Sequence, residues 1–246
     1  PGNQYGIPYL WGTTGIGVNE KLVKAALGDD APVDSWDLVL DPKYASKLKD
    51  CGISFLDAYD EIFPAVLNYE GEDPTSQDVN LFKTKVEPVL EAVHPYIRYY
   101  NSSKYINDLA NGDICAAVGW SGDVLQAAAR AEEAHQPFKV SYSIPKEGTL
   151  IWIDMMAIPI DAPHPDNAHK FINFLMDPKV IAGVSNTVRY ANGNKAADEF
   201  VDPDLLADKQ VYPPADVRSK CYTLPPYPPK VDRQGLRMWT RIKTGR

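Results

Sequence analysis

The sequence predicts an α/β fold. Short apolar runs of strand length alternate along the chain with stretches whose apolar residues recur at helical spacing. Neither an internal repeat nor a low-complexity tract interrupts that alternation. Size agrees with it: 246 residues, 44% of them hydrophobic, can bury the core of one or two domains.

In chain order, Ile53 to Leu56, Ile114 to Val118 and Leu150 to Ile160 read as buried strands, being continuous apolar runs. Ala58 to Tyr69 reads as a helix, with Ile62, Ala65, Val66 and Tyr69 on one face. From Asp78 to Val93 the residues Leu81, Phe82, Val86, Val89, Leu90 and Val93 form a second apolar face, which Pro88 is expected to kink or interrupt. Ser121 to Ala134 is an alanine-rich helix, and Ala168 to Met176 a shorter one carrying Phe171, Ile172, Phe174 and Leu175. Six of the 21 prolines fall between Pro213 and Pro229, predicting an ordered loop wrapped over a surface. A final helix is expected around Arg233 to Lys243.

Composition excludes several functions. With 25 basic and 33 acidic residues the net charge is -8, unlike the basic stripes of nucleic-acid binders and compatible with a cationic ligand. No apolar run approaches the ~20 residues needed to span a bilayer. The opening Pro1-Gly2-Asn3-Gln4 has neither a basic nor an apolar leader region, so a soluble chain is expected. Cys51, Cys115 and Cys221 form no CxxC pair, which argues against zinc and thioredoxin-type chemistry. Cys51 and Cys115 sit at the mouths of two expected strands. They are either neighbours or separate buried thiols.

Enzyme motifs fail on spacing. Gly12-Thr13-Thr14-Gly15-Ile16-Gly17 runs GxxGxG, the wrong order for a dinucleotide turn, and no Walker lysine follows. Gly119-Trp120-Ser121-Gly122-Asp123 has aspartate where a nucleophile elbow needs its last glycine. His94, His135, His164 and His169 share no metal-binding spacing. No catalytic residue, metal or cofactor is expected, and the chain is not expected to be an enzyme.

What remains is aromatic residues beside carboxylates at strand ends. Trp120 and Asp123 flank an expected strand-to-helix turn, where α/β sheets place ligands. Trp152 and Asp154 share one face of the Leu150 to Ile160 strand, because side chains alternate along it. An aspartate in an apolar strand needs a cation, from the protein or from a ligand. Two such pairs suit an alkyl diamine: carboxylates replace water at each ammonium, and tryptophan walls the methylenes with a cation–π face. The alternatives are core packing for the tryptophans and helix capping for Asp123.

Four stretches carry a family resemblance: Tyr9 to Gly17, Ser102 to Cys115, Tyr142 to Gly148, and Tyr212-Pro213-Pro214. Spread over nearly the whole chain, they resemble the polyamine (putrescine/spermidine) substrate-binding proteins of bacterial ABC importers. The resemblance implies a periplasmic binding protein fold of type II, two α/β lobes enclosing the ligand. It places residues 13–130 and 191–246 in the second lobe and 1–12 with 131–190 in the first. That first lobe would then be incomplete at its N-terminus. The resemblance further implies binding carboxylates at Glu61, Asp123 and Asp154, and aromatic walls at Trp120 and Trp152. Tyr190 would be a hinge-side residue and Ser102 a weaker polar contact. Cys51 and Cys115 would form a disulfide, leaving Cys221 free. The function implied is capture of putrescine or spermidine in the periplasm by a monomer that delivers it to an inner-membrane ABC permease. A receptor or sensor for another cationic amine or an amino acid on the same fold is the alternative. An amino acid would call for an arginine to hold its carboxylate, and none stands in the Trp/Asp stretches.

Overall fold

The computed structural model describes residues 3–245. Pro1, Gly2 and Arg246, which bound the expected lobes at the chain ends, lie outside the described residues. The strand that organises the molecule is one the apolar-run reading does not reveal. This strand, β1 (Ile7–Asn19), is thirteen residues long and takes part in two sheets in succession. Gly12, Gly15 and Gly17 break its apolar pattern. At Gly15 the backbone passes so close to Tyr142 that a Cβ would lie 2.5 Å from the phenol oxygen.

The C-terminal half of β1 belongs to the larger sheet. Its partners there are β2 (Ile53–Phe55), β3 (Ile97–Tyr100), β4 (Ala116–Trp120) and β5 (Val140–Ser143), in the order β3-β2-β4-β1-β5. β2 runs parallel to β3 and β4, while β1 is antiparallel to β4 and β5. The sheet is thus mixed, with β2 and β4 forming the apolar centre. Around it packs the larger core, including Ile16, Val18, Ile53, Phe55, Phe63, Tyr105 and Trp239. The N-terminal half of β1 pairs antiparallel with β6 (Ile151–Met156) and β7 (Ala191–Asn192). A smaller core collects there, from Leu10 and Tyr190 to Val211. Pairing passes from one sheet to the other between Thr13, opposite Ile151, and Thr14, opposite Trp120.

This crossover lies one residue beyond the expected boundary between residues 12 and 13. The other two boundaries divide the chain differently from the sheets. β5 lies inside 131–190 yet pairs with the larger sheet, because Val140 and Tyr142 point into that core. Residues Ala191, Ala197, Val201, Leu205 and Val211 lie inside 191–246 yet pack in the smaller core.

Several elements differ from expectation for local reasons. The run toward Val93 does not break at Pro88. Phe82–Val86 widens into a π-helical turn between the α-helical stretches Val79–Leu81 and Glu87–Val93. Pro88 has no N–H to return to Thr84, and the wider turn accommodates its ring. β6 ends at Met156, ahead of Pro159, and β4 begins two residues later than its apolar run. The helix Pro165–Leu175 buries none of its residues, and Phe171 and Phe174 are each 60% exposed. The final helix is longer than expected, Pro229–Thr244, and seats Met238, Trp239 and Ile242 in the larger core.

Cys51 and Cys115 are joined by a disulfide, with Cα atoms 5.5 Å apart, and Cys221 is free. The bridge ties the chain entering β2 to the chain entering β4, so it pins two neighbouring strands at the same end of the sheet.

Candidate functional site

A cavity of about 490 Å³ opens where the two sheets meet, lined by Leu10, Glu61, Trp120, Asp123, Gln126, Trp152, Asp154, Val188 and Tyr190. Six of the seven residues singled out from the sequence are in that lining. Ser102 is not: its hydroxyl accepts the Asp57 N–H at 3.0 Å, joining two turns beyond β2 and β3. The lining contains three carboxylates and three aromatic rings, and no lysine or arginine among the described residues.

Each group is delivered by a definite element. β4 ends at Trp120 and the helix Ser121–Glu133 starts at the next residue, so Asp123 lies in that helix's first turn. It is not the cap; Trp120 holds that position, with no side-chain capping bond. Asp123 instead accepts two phenol donors, Tyr105 on Oδ2 at 2.8 Å and Tyr190 on Oδ1 at 2.7 Å. Its N–H in turn donates to the Tyr190 hydroxyl at 3.2 Å. Each carboxylate oxygen can accept a further donor, so capacity for a ligand N–H remains. Tyr190 belongs to the smaller core and Asp123 rides on a helix packed in the larger one, so this pair spans the two sheets.

Glu61 lies in the first turn of the helix Tyr59–Tyr69. The Trp120 indole N–H donates to both its oxygens, at 3.1 and 3.0 Å, and the Thr14 hydroxyl donates to Oε2. Burial is the largest influence on Glu61 and raises its pKa above the usual carboxyl range. The Thr14 and Trp120 donors act in the opposite direction, while the charges of Asp60 and Asp154 add to the rise. Asp154 is exposed on β6, and burial of its carboxyl by nearby protein raises its pKa too. No hydrogen bond or ion pair holds Asp154 among the described residues, so its expected cation is not supplied by a neighbouring side chain.

Both tryptophans are half-buried and line the cavity. Trp120 is half-buried, packs against both cores and is oriented by Glu61. Trp152 meets Tyr190 edge to face, with ring centroids 5.2 Å apart. Its indole N–H is buried with no partner among the described residues. Gly122 makes room for Tyr190, since a Cβ there would lie 2.6 Å from two atoms of the ring. Gly122→Ala should therefore push Tyr190 away from Asp123 and lower stability by ~1–3 kcal/mol. Thermal unfolding reads this, and a melting point unchanged within 1 °C would show that the ring yields freely.

Sequence reasoning missed Thr14, Tyr105 and Gln126. Thr14 lies in a glycine-rich stretch that gave no strand signal, and Tyr105 is buried in the helix Lys104–Asn111. Gln126 is one turn beyond Asp123 on the same helix face, and that i, i+3 spacing was the available signal. Its amide donates to the Val188 carbonyl at 3.1 Å.

With this geometry in place, comparison with known proteins gives a consistent result. The family model described as bacterial extracellular solute-binding protein matches residues 1–213. The chain belongs to this family. Its relatives include the putrescine-binding periplasmic protein PotF of Escherichia coli (strain K12), 51% identical over 246 residues. That match covers 100% of this chain and 66% of PotF. The putrescine-binding periplasmic protein SpuD of Pseudomonas aeruginosa (strain UCBPP-PA14) is 50% identical, covering 100% of this chain and 67% of SpuD. The chain thus spans about two thirds of the length of these relatives. Among solved structures, a putative spermidine/putrescine ABC transporter protein from Listeria monocytogenes superposes with a TM-score of 0.84 at 26% identity. It covers 99% of this chain and 70% of the other.

Proposed function

We propose that this solute-binding protein captures putrescine in the periplasm and delivers it to an ABC-type importer. The observation that carries this reading is the cavity: Glu61, Asp123 and Asp154 face it with Trp120 and Trp152, and its lining holds no basic side chain among the described residues. Its volume of about 490 Å³ lies within the usual range for small-ligand pockets, ~300–1,000 Å³. In the proposed complex Asp123 and Glu61 hold one ammonium and Asp154 the other. Trp120 and Trp152 flank the methylenes, and Tyr190 orients Asp123. The names of the two relatives near 50% identity support putrescine, and the Cys51–Cys115 disulfide suits an oxidising compartment. The absence of arginine from the lining weighs against an amino-acid ligand.

Action as a monomer is part of this proposal. The two lobes of the clamp, in this proposal, follow the sheets. Residues 3–13 with 150–212 form one lobe, and residues 14–149 with 213–245 form the other. Ligand contacts to both would supply the free energy of closure.

Tryptophan fluorescence tests the ligand class. Putrescine should produce a saturable change that 1,4-butanediol, of similar length but uncharged, does not reproduce. An equal response to both would remove the charge-based reading.

Acidity should oppose binding. The ammoniums require ionised Glu61 and Asp154, and both pKa values lie above their ordinary positions. Putrescine binding stabilises the charged forms, so it releases protons and affinity falls as pH drops through the raised carboxyl range. The ligand-free fold responds in the opposite sense. A carboxyl with a raised folded-state pKa lowers stability as pH climbs from its unfolded value through its folded one. Titrations from pH 7.5 down through the carboxyl range should show weaker binding at the acid end, by up to ~10-fold per pH unit for each group below its pKa. A profile that stays flat throughout that range would mean that neither carboxyl contacts the amine.

A further inference from the structure

We propose that Tyr105 is a positioning residue of the amine site, acting through Asp123. This deepens the polyamine reading above and rests on it. Tyr105 lies on the helix Lys104–Asn111 with none of its surface exposed, and it is not in the lining of the cavity. A buried phenol oxygen needs hydrogen-bond partners, and the two it has are both parts of the site. It donates to Asp123 Oδ2 at 2.8 Å and accepts the Trp120 N–H at 3.1 Å. One hydroxyl therefore holds the carboxylate and the backbone that carries the tryptophan wall.

The surroundings leave this hydroxyl little freedom. The Tyr105 ring lies over Gly119, where a Cβ would be 2.5 Å from Cε2, so the ring occupies the space that a side chain on β4 would fill. The Tyr105 helix also packs along the Ser121–Glu133 helix that bears Asp123. Tyr190 holds the other oxygen of Asp123 from the opposite sheet. Without Tyr105 the carboxylate would keep only that donor and could follow the smaller sheet. With both, it is fixed to the strand-to-helix turn of β4 before any ligand arrives. Preorganising a charge partner improves affinity by removing the cost of ordering it during binding. Loss of one charge-assisted hydrogen bond corresponds to about tenfold or more in affinity.

Tyr105→Phe keeps the ring and removes only the hydroxyl. Calorimetry with putrescine should show about tenfold weaker binding. The same substitution in an Asp123→Ala background should change affinity by less than about twofold, while in a Glu61→Gln background the tenfold loss should persist. A purely structural effect would weaken all three backgrounds alike, and that pattern, or a single variant within twofold of the native protein, overturns the proposal. Hydrogen exchange at the Trp120 amide gives a ligand-independent reading. Protection should fall at least tenfold in Tyr105→Phe, and unchanged protection also counts against the brace. A native chain that takes up no putrescine is a different failure: it overturns the polyamine reading, and it shows in the parent protein before any variant is made.

Discussion

Asp123→Ala is expected to raise the dissociation constant for putrescine by ~10²–10⁴-fold, the consequence of leaving a buried ammonium without its charge partner at ~3–5 kcal/mol. Asp123 should be the most sensitive of the three carboxylates. Both its oxygens are fixed, by Tyr105 and Tyr190, whereas Asp154 is exposed and unheld. Truncation also deprives two tyrosine hydroxyls of their acceptor, at ~1–3 kcal/mol each if they stay buried. Asp123→Asn separates the two effects, since it keeps an acceptor and removes the charge. If affinity falls in the alanine variant and recovers fully in the asparagine one, the charge at this position is not what holds the ligand.

Removing the disulfide should have the largest effect on stability. Cys51 and Cys115 are 64 residues apart, and closing a loop of that size stabilises the folded state by ~4 kcal/mol in the chain-entropy treatment. Cys51→Ser with Cys115→Ser should therefore lower the melting temperature by roughly 10 °C for a chain of this length. The same loss should follow from reductant. Because Cys115 is fully buried between β2 and β4, reduction should be slow without partial unfolding. A melting point that shifts by less than about 2 °C in the double variant would mean that the bridge adds nothing to the fold.

The alternation of apolar runs and helical faces revealed β2, β4, β6 and the helices that carry Glu61 and Asp123. β2, β4 and the two helices bury apolar stretches, so their signal is local; β6 forms where its apolar run predicts a strand, yet it is not buried, with Ile153 and Met155 exposed. β1 was not legible, although it links both sheets. Its glycines exist for close approach to residues such as Tyr142, a need that arises only when distant segments meet. The short β7 and the partition of residues 131–149 and 191–212 between sheets were hidden for the same reason: pairing, not composition, decides them.

The site was legible in part. Trp120 with Asp123 and Trp152 with Asp154 stood out because acidic groups beside tryptophan at strand ends conflict with simple core packing. Glu61 came only from the family resemblance, since a glutamate in the first turn of an amphipathic helix is ordinary by itself. Thr14 and Tyr105 act through hydrogen bonds to those carboxylates across 47 and 18 residues of chain, a relation no local pattern encodes. Ser102 shows the converse. Its sequence context resembles the family, yet its hydroxyl is engaged in joining two loops.

The most direct test of the central claim is calorimetric titration of putrescine into this chain at pH 7.5, beside its Asp154→Ala variant. The expected result is one saturable site in the native protein, proton release on binding, and affinity at least tenfold weaker in the variant. No heat from the native chain, or equal affinity in both, would contradict it.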